Sequence, residues 1–133
     1  MKIAVAGVGY VGLVTAVTLA DVGHDVICLD VDKGKLKMLK DGISPIYEYG
    51  LEELMLKNRE RLEFTDDVTK YSEAQVIIIG VGTPEKEDGS ADLSAVFSVA
   101  DSIAANCSDG AVVVVKSTVP IGTCESVRRR IGE

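Results

Sequence analysis

Short β-branched runs alternate along the chain with longer stretches whose apolar residues recur at helical spacing. Lys2–Ala6 reads as a first strand, Val26–Leu29 as a second and Leu62–Phe64 as a short third. Val76–Ile79, four β-branched residues in a row, and the valine-rich Ala111–Lys116 read as a fourth and a fifth. Tyr10–Val22 predicts an apolar helix with Val14, Val17 and Thr18 on one face, closed by the turn Gly23–His24–Asp25. Asp32 is placed to cap a helix over Lys33–Lys40, which Asp41–Gly42 ends. Ile43–Tyr49 reads as a loop, Leu51–Asn58 as a helix and Val68–Tyr71 as one helical turn. Thr83–Ala91 reads as a polar loop, Asp92 as the cap of a helix reaching Asn106, and Gly122–Ile131 as the start of a last helix. Strands apolar on both faces and separated by helices imply a parallel sheet covered on both sides. Right-handed crossovers then wind it in both directions. The expected fold class is α/β, a doubly wound, mostly parallel sheet with helices on both faces.

The 133 residues make one domain, with no internal repeat or linker. The last helix runs out at Glu133 with no sixth strand after it, so the chain reads as the front part of something longer. Fourteen Lys and Arg against 21 Asp and Glu give a net charge of −7. That sign argues against nucleic acid and against an anionic lipid surface as partners. No apolar run approaches the roughly 20 residues needed to cross a bilayer. The first strand follows Met1 directly, which leaves no room for a leader, so a cytoplasmic location is expected. Cys28, Cys107 and Cys124 are odd in number and lack metal-ligand spacing, so neither a disulfide framework nor a zinc site is expected. Cys28, inside an apolar run, reads as a buried small hydrophobe. The one histidine, His24, falls in a turn and excludes a metal site built on several histidines.

Gly7-Val8-Gly9-Tyr10-Val11-Gly12 spells G-x-G-x-x-G between a strand and a helix. In that context Gly7 permits the tight turn, Gly9 admits a pyrophosphate close to the backbone, and Gly12 lets helix and strand pack closely. The N–H groups opening the helix then face the phosphates. This is the Rossmann-type arrangement. A Walker-type loop is absent, because Gly34-Lys35 is followed by Leu36. Asp30 ends the second strand, 18 positions beyond Gly12 (30 − 12), where an acid accepts hydrogen bonds from a ribose 2′-OH. Its charge repels a 2′-phosphate, so the expected cofactor is NAD rather than NADP. Asp32 competes for that role, but helix capping accounts for it.

Ligands of open α/β sheets sit at the strand carboxyl ends. Val76–Gly80 runs into Val81-Gly82-Thr83-Pro84: Gly82 allows close approach, Thr83 offers a hydroxyl, and Pro84 stiffens the exit. Ala111–Lys116 runs into Ser117-Thr118-Val119-Pro120-Ile121-Gly122-Thr123, which puts Ser117 and Thr118 beside the nicotinamide half. Each segment also reads as an ordinary polar loop, with Thr83 and Thr123 as helix caps.

Together these segments resemble the NAD-binding domain of the UDP-glucose/GDP-mannose dehydrogenase family. The carriers are Lys2-Ile-Ala-Val-Ala-Gly-Val-Gly-Tyr-Val-Gly-Leu13, Ser44-Pro-Ile-Tyr-Glu-Tyr-Gly-Leu51, Gly80-Val-Gly-Thr-Pro84 and Lys116-Ser-Thr-Val-Pro-Ile-Gly-Thr123. Tyr49 departs from the proline usual in the family. The resemblance implies an NAD-dependent enzyme that oxidises the C6 hydroxyl of a sugar nucleotide twice, through a cysteine thioester. UDP-glucose is the substrate it favours, with GDP-mannose and UDP-N-acetylmannosamine as rivals. It implies cofactor contacts from the glycine turn with Tyr10 and Val11, and from Asp30, Lys35, Thr83 and Thr118. Thr118 would also lie near the substrate and help position a catalytic water. The lysine's own context, without the resemblance, favours a solvated first-turn residue. It further implies a homodimer formed through a later helix, and a nucleophilic cysteine and substrate domain in segments outside this chain. A reading of another class is a stand-alone module that senses NAD or NADH.

Overall fold

The computed structural model describes residues 1–132, and Glu133, where the last predicted helix runs out, lies outside them. The first strand, β1 (Lys2–Ala6), lies in the middle of a five-stranded sheet. β2 (Asp25–Leu29) and then β3 (Leu62–Thr65) extend it on one side, and β4 (Val76–Ile79) and β5 (Val112–Val115) on the other. The order is β3-β2-β1-β4-β5 and every pair is parallel. The chain winds outward from β1 through α1 (Tyr10–Asp21) and α2 (Lys33–Lys40), then crosses back to wind the other way. The switch point therefore falls between β1 and β4, where their carboxyl ends part.

The period-2 alternation of strand side chains divides the core in two. Ile3, Val5, Val26 and Cys28 face α1, α2 and α3 (Leu51–Lys57), packing on Leu13, Val17, Leu39 and Met55. Ala4, Ala6, Ile27 and Leu29 face the opposite way. There Tyr71, from a 3₁₀ segment at Val68–Glu73, meets Val96, Ala100 and Ile103 of α4 (Ser94–Asn106) and Val127 of α5 (Thr123–Ile131).

Several local expectations shift. The buried stripe of α1 is Gly12, Leu13, Ala16, Val17 and Ala20, while Thr18 is exposed and returns its hydroxyl to the carbonyls of Val14 and Thr15. Asp32 caps α2 as expected, accepting from the Lys35 N–H at 3.1 Å. Asp92 lies one position before the cap of α4: its carboxylate accepts from Ser94 N–H, but Leu93 is the cap residue. The polar loop before α4 is closed by a single bridge between Glu85 and Ala91. No helix begins at Thr83, and α5 starts from Gly122 at φ +93°, so neither Thr83 nor Thr123 is a cap. The Thr123 hydroxyl instead donates to the Pro120 carbonyl.

Candidate cofactor site

Three glycines are forced together at the switch point, one of which sequence reasoning passed over. Gly7 takes φ +97°, and a Cβ there would stand 2.9 Å from the carbonyl oxygen of Gly80. A Cβ on Gly12 would fall 1.8 Å from the Gly7 carbonyl oxygen, and one on Gly80 would come within 3.3 Å of the Gly12 Cα. The amino end of α1 thus lies backbone to backbone against the exits of β1 and β4. Gly80 N–H donates to Ala6 O at 2.8 Å, which holds the two exits in register. The signal for Gly80 was its place at the end of a β-branched run, two residues before Gly82.

Gly9 differs from its neighbours: a Cβ there would meet nothing within 4 Å, so internal packing does not demand glycine. It is the N-cap of α1 and has no side-chain partner. Among the described residues the N–H groups of Gly9, Tyr10, Val11 and Gly12 have no protein acceptor. Unpaired donors at the positive end of a helix, beside the open space at Gly9, suit an anion such as a diphosphate.

Asp30 closes the other side. Its Oδ2 accepts the Val8 N–H at 2.9 Å, and its Oδ1 accepts the Asp32 N–H at 2.9 Å. A carboxylate has about four lone-pair directions. Each oxygen, holding one backbone donor, keeps room for a hydroxyl. The same acid therefore braces the glycine turn and offers a fixed, two-pronged acceptor to a sugar diol. Val31, beside it, is 94% exposed, an apolar surface with no protein cover. Below them a recess of about 190 Å³ opens between the sheet and α4, walled by Leu29, Val31, Val68, Tyr71 and Val99. Most of those positions carry core-type residues, which is why sequence reasoning did not single them out for a site. A larger hollow, about 400 Å³, lies between α2, α3 and β3, away from the glycine turn.

The exits of β4 and β5 are laced together. Thr83 Oγ1 donates to the Thr118 carbonyl at 2.8 Å, and Ser117 Oγ donates to the Val81 carbonyl at 2.7 Å. Ser117 therefore spends its hydroxyl inside the protein, whereas the Thr118 hydroxyl has no partner among the described residues. Gly82 leaves open space where a Cβ would stand. The Pro84 carbonyl accepts from Asp92 N–H. The Tyr10 phenol donates to Glu48, whose hydrogen bond and charge raise its pKa, so only its backbone N–H is left for an anion. Lys35 stands in the first turn of α2, and its ammonium group is unpaired among the described residues. The geometry thus brings the glycine turn, Asp30, Gly82, Thr83 and Thr118 to one sheet edge.

The three cysteines differ in burial. Cys28 is fully buried in β2, where desolvation pushes its thiol pKa far up. Cys107 is half-buried at the end of α4, and Cys124 is exposed in the first turn of α5. His24 sits at the opposite edge, its Nδ1 3.2 Å from the Met1 amino group. Among the described residues no group of His, Cys, Asp and Glu is placed to hold a metal ion, and no helix is long and apolar enough to cross a membrane.

Comparisons with known proteins agree with this geometry. The family model for the UDP-glucose/GDP-mannose dehydrogenase family, NAD binding domain, matches residues 1–133. A UDP-glucose 6-dehydrogenase of Rhizobium meliloti is 52% identical over 137 residues, taking in 100% of this chain and 31% of its own length. One from Bacillus subtilis is 48% identical, again over 100% of this chain and 31% of its own. Among solved structures, a ternary complex of GDP-mannose dehydrogenase from Pseudomonas aeruginosa superposes with a TM-score of 0.91 at 37% identity, covering 100% of this chain and 33% of that one. The UDP-D-ManNAc dehydrogenase of Pyrococcus horikoshii does so with a TM-score of 0.94 at 34% identity, covering 98% and 32%. The chain spans about a third of the length of the relatives it matches. It belongs to the UDP-glucose/GDP-mannose dehydrogenase family, as an NAD-binding domain of that family.

Proposed function

We propose that NAD lies along the carboxyl edge of the sheet. Its diphosphate is held by the N–H groups of Gly9, Tyr10, Val11 and Gly12, with Gly7 shaping the turn. Its adenosine ribose rests on Asp30 with Lys35 nearby, and its nicotinamide half reaches toward Gly82, Thr83, Pro84, Ser117 and Thr118. The observation that carries this reading is the row of four unpaired N–H donors beneath the open space at Gly9. The carboxylate of Asp30 selects against NADP, because a 2′-phosphate would bring its charge beside one already fixed there. Thermal denaturation of the chain tests this. A ligand at 100 times its dissociation constant stabilises by about 2.7 kcal/mol. NAD should raise Tm and NADP at the same concentration should not; no shift with NAD would overturn the assignment.

We infer further that the protein carrying this domain is a UDP-glucose 6-dehydrogenase. The relatives at 52% and 48% identity bear that name, which favours it over GDP-mannose or UDP-N-acetylmannosamine as substrate. The reaction is two successive two-electron oxidations at C6 of UDP-glucose, alcohol to the aldehyde level and then, with water, to the acid. NAD supplies the hydride acceptor for each. This chain's part is to fix that acceptor and to exclude the phosphorylated cofactor. The unpaired hydroxyl of Thr118 stands where it can hold a water near the sugar. Cys28 is buried within β2, Cys107 ends α4, and Cys124, which opens α5, has no histidine near it in sequence to activate it, so the domain is expected to bind NAD without oxidising substrate. The purified chain, given NAD and UDP-glucose, should form no NADH; turnover would refute this division of labour. A cytoplasmic location and a homodimeric whole protein belong to the same proposal, the dimer resting on the family resemblance.

A further inference from the structure

Tyr71 carries a polar atom that the fold does not use. The residue is 2% exposed, packed in the core between the sheet and α4. A phenylalanine would fill the same apolar volume. Its hydroxyl makes no hydrogen bond among the described residues. Among the described residues no fully buried side-chain oxygen or nitrogen is left without a partner, so this one is reached by solvent, through the recess that Tyr71 lines. The recess lies beside Asp30; Leu29, Val31, Val68 and Val99 are its main apolar walls, and Asp66, Ser98 and Ser102 also line it. Apolar walls of this kind suit the faces of a flat base, while a hydroxyl donor without a protein acceptor suits an acceptor at its edge. Burial and the charge of Asp30 push the Tyr71 pKa up to about 12, so the phenol stays protonated at neutral pH and can donate.

We propose that Tyr71 is a specificity-determining residue whose hydroxyl donates a hydrogen bond to a ring nitrogen of the adenine of the bound dinucleotide. This rests on the placement of the adenosine ribose at Asp30 given above. The adenine ring has three such acceptors, N1, N3 and N7, and offers no ring N–H to compete for the donor. A site built to bond a polar edge rejects the analogue lacking it, because the buried donor is then left unpaired.

The test pairs Tyr71→Phe with ADP-ribose and its 1-, 3- and 7-deaza analogues, measured by calorimetric titration of the 133-residue chain. Y71F should melt with the parent and bind NAD and ADP-ribose about fivefold more weakly, the scale of one neutral hydrogen bond. On the parent, one deaza analogue should weaken by the same factor; on Y71F that analogue and ADP-ribose should bind alike. Undiminished affinity in a folded Y71F overturns the inference. So does a Y71F that binds weakly yet discriminates among the analogues as the parent does, since the residue would then act only through packing. If Y71F fails to fold, the parent chain decides: equal binding of all three analogues refutes the bond. A parent that does not bind NAD at all would instead refute the cofactor placement.

Discussion

Gly9 and Gly12 lie three positions apart in one turn and should fail in opposite ways when given a methyl group. At Gly12 the added Cβ would stand 1.8 Å from the Gly7 carbonyl oxygen and 2.8 Å from its carbon. Ordinary contact begins near 3.4 Å, so the helix or the turn must move by about 1.6 Å (3.4 − 1.8). The obstructing atoms are backbone, and Gly7 is itself held by its N–H to Leu29 O at 2.8 Å and by the nearby Gly80. Overpacking of this kind costs about 3 kcal/mol or more, which in a domain of this size lowers Tm by about 10 °C. At Gly9 the backbone is at φ −71°, open to any residue, and the Cβ meets nothing. Alanine is a poorer N-cap than glycine, so Gly9→Ala should cost less than about 1 kcal/mol of stability. Its methyl group, however, occupies the space assigned to the diphosphate. NAD affinity should fall at least tenfold, about 1.4 kcal/mol. Calorimetry gives both quantities for each variant: Tm of the free chain and Kd for NAD. The reasoning fails if folded Gly9→Ala binds NAD as tightly as the parent, or if Gly12→Ala melts where the parent does.

Two further perturbations probe groups whose roles the geometry defines. Asp30→Ser removes the acceptors of the Val8 and Asp32 N–H groups, the first belonging to a fully buried residue, and should cost about 1–3 kcal/mol. It should also weaken NAD and narrow its advantage over NADP, as paired Kd measurements would show; an unchanged NAD/NADP ratio would remove Asp30 from the ribose site. Hydrogen bonds from Lys2 and then Lys70 hold the Glu73 carboxyl down at about 2, against an ordinary value of 4.5. Its folded pKa is the lower one, so its stabilisation is complete above about pH 4.5 and drains away as the pH falls toward 2. The Tm difference between parent and Glu73→Gln should shrink across that window, and a constant difference would show that the ion pairs do not govern it.

Most of this architecture was legible because one periodicity specified it. Runs such as Val76–Ile79 exclude a solvated face, and their alternation with helices forces a parallel sheet. Tyr10–Asp21 was harder to orient, since an apolar helix with threonines on several faces has no sharp stripe, and Thr18 turned outward by bonding back to its own helix. At the site, the residues that sequence singled out are those whose type carries meaning alone: a glycine at a turn, an acid at a strand end, a hydroxyl in a strand exit. The strand-end place of Asp30 was legible as a candidate ribose acceptor, but its bracing of Val8 needed coordinates, because that bond joins positions 22 apart.

Gly80 and Tyr71 escaped for a different reason. Each looks like ordinary structure, a strand-end glycine and a core aromatic, and only the third dimension shows what each touches. Gly80 matters because Gly7 and Gly12 converge on it from another segment, so its constraint belongs to a three-body contact. Tyr71 stands out because its hydroxyl, with no hydrogen-bond partner among the described residues, belongs to a residue lining the same recess as Asp30. With NAD placed as proposed, the cofactor edge is written twice: openly in the polar strand exits, and covertly in core positions whose one exceptional atom would face the ligand. The covert half is where selectivity for the adenosine end would be altered with least disturbance of the fold, since an oxygen with no internal partner can be removed without leaving any protein donor or acceptor unsatisfied.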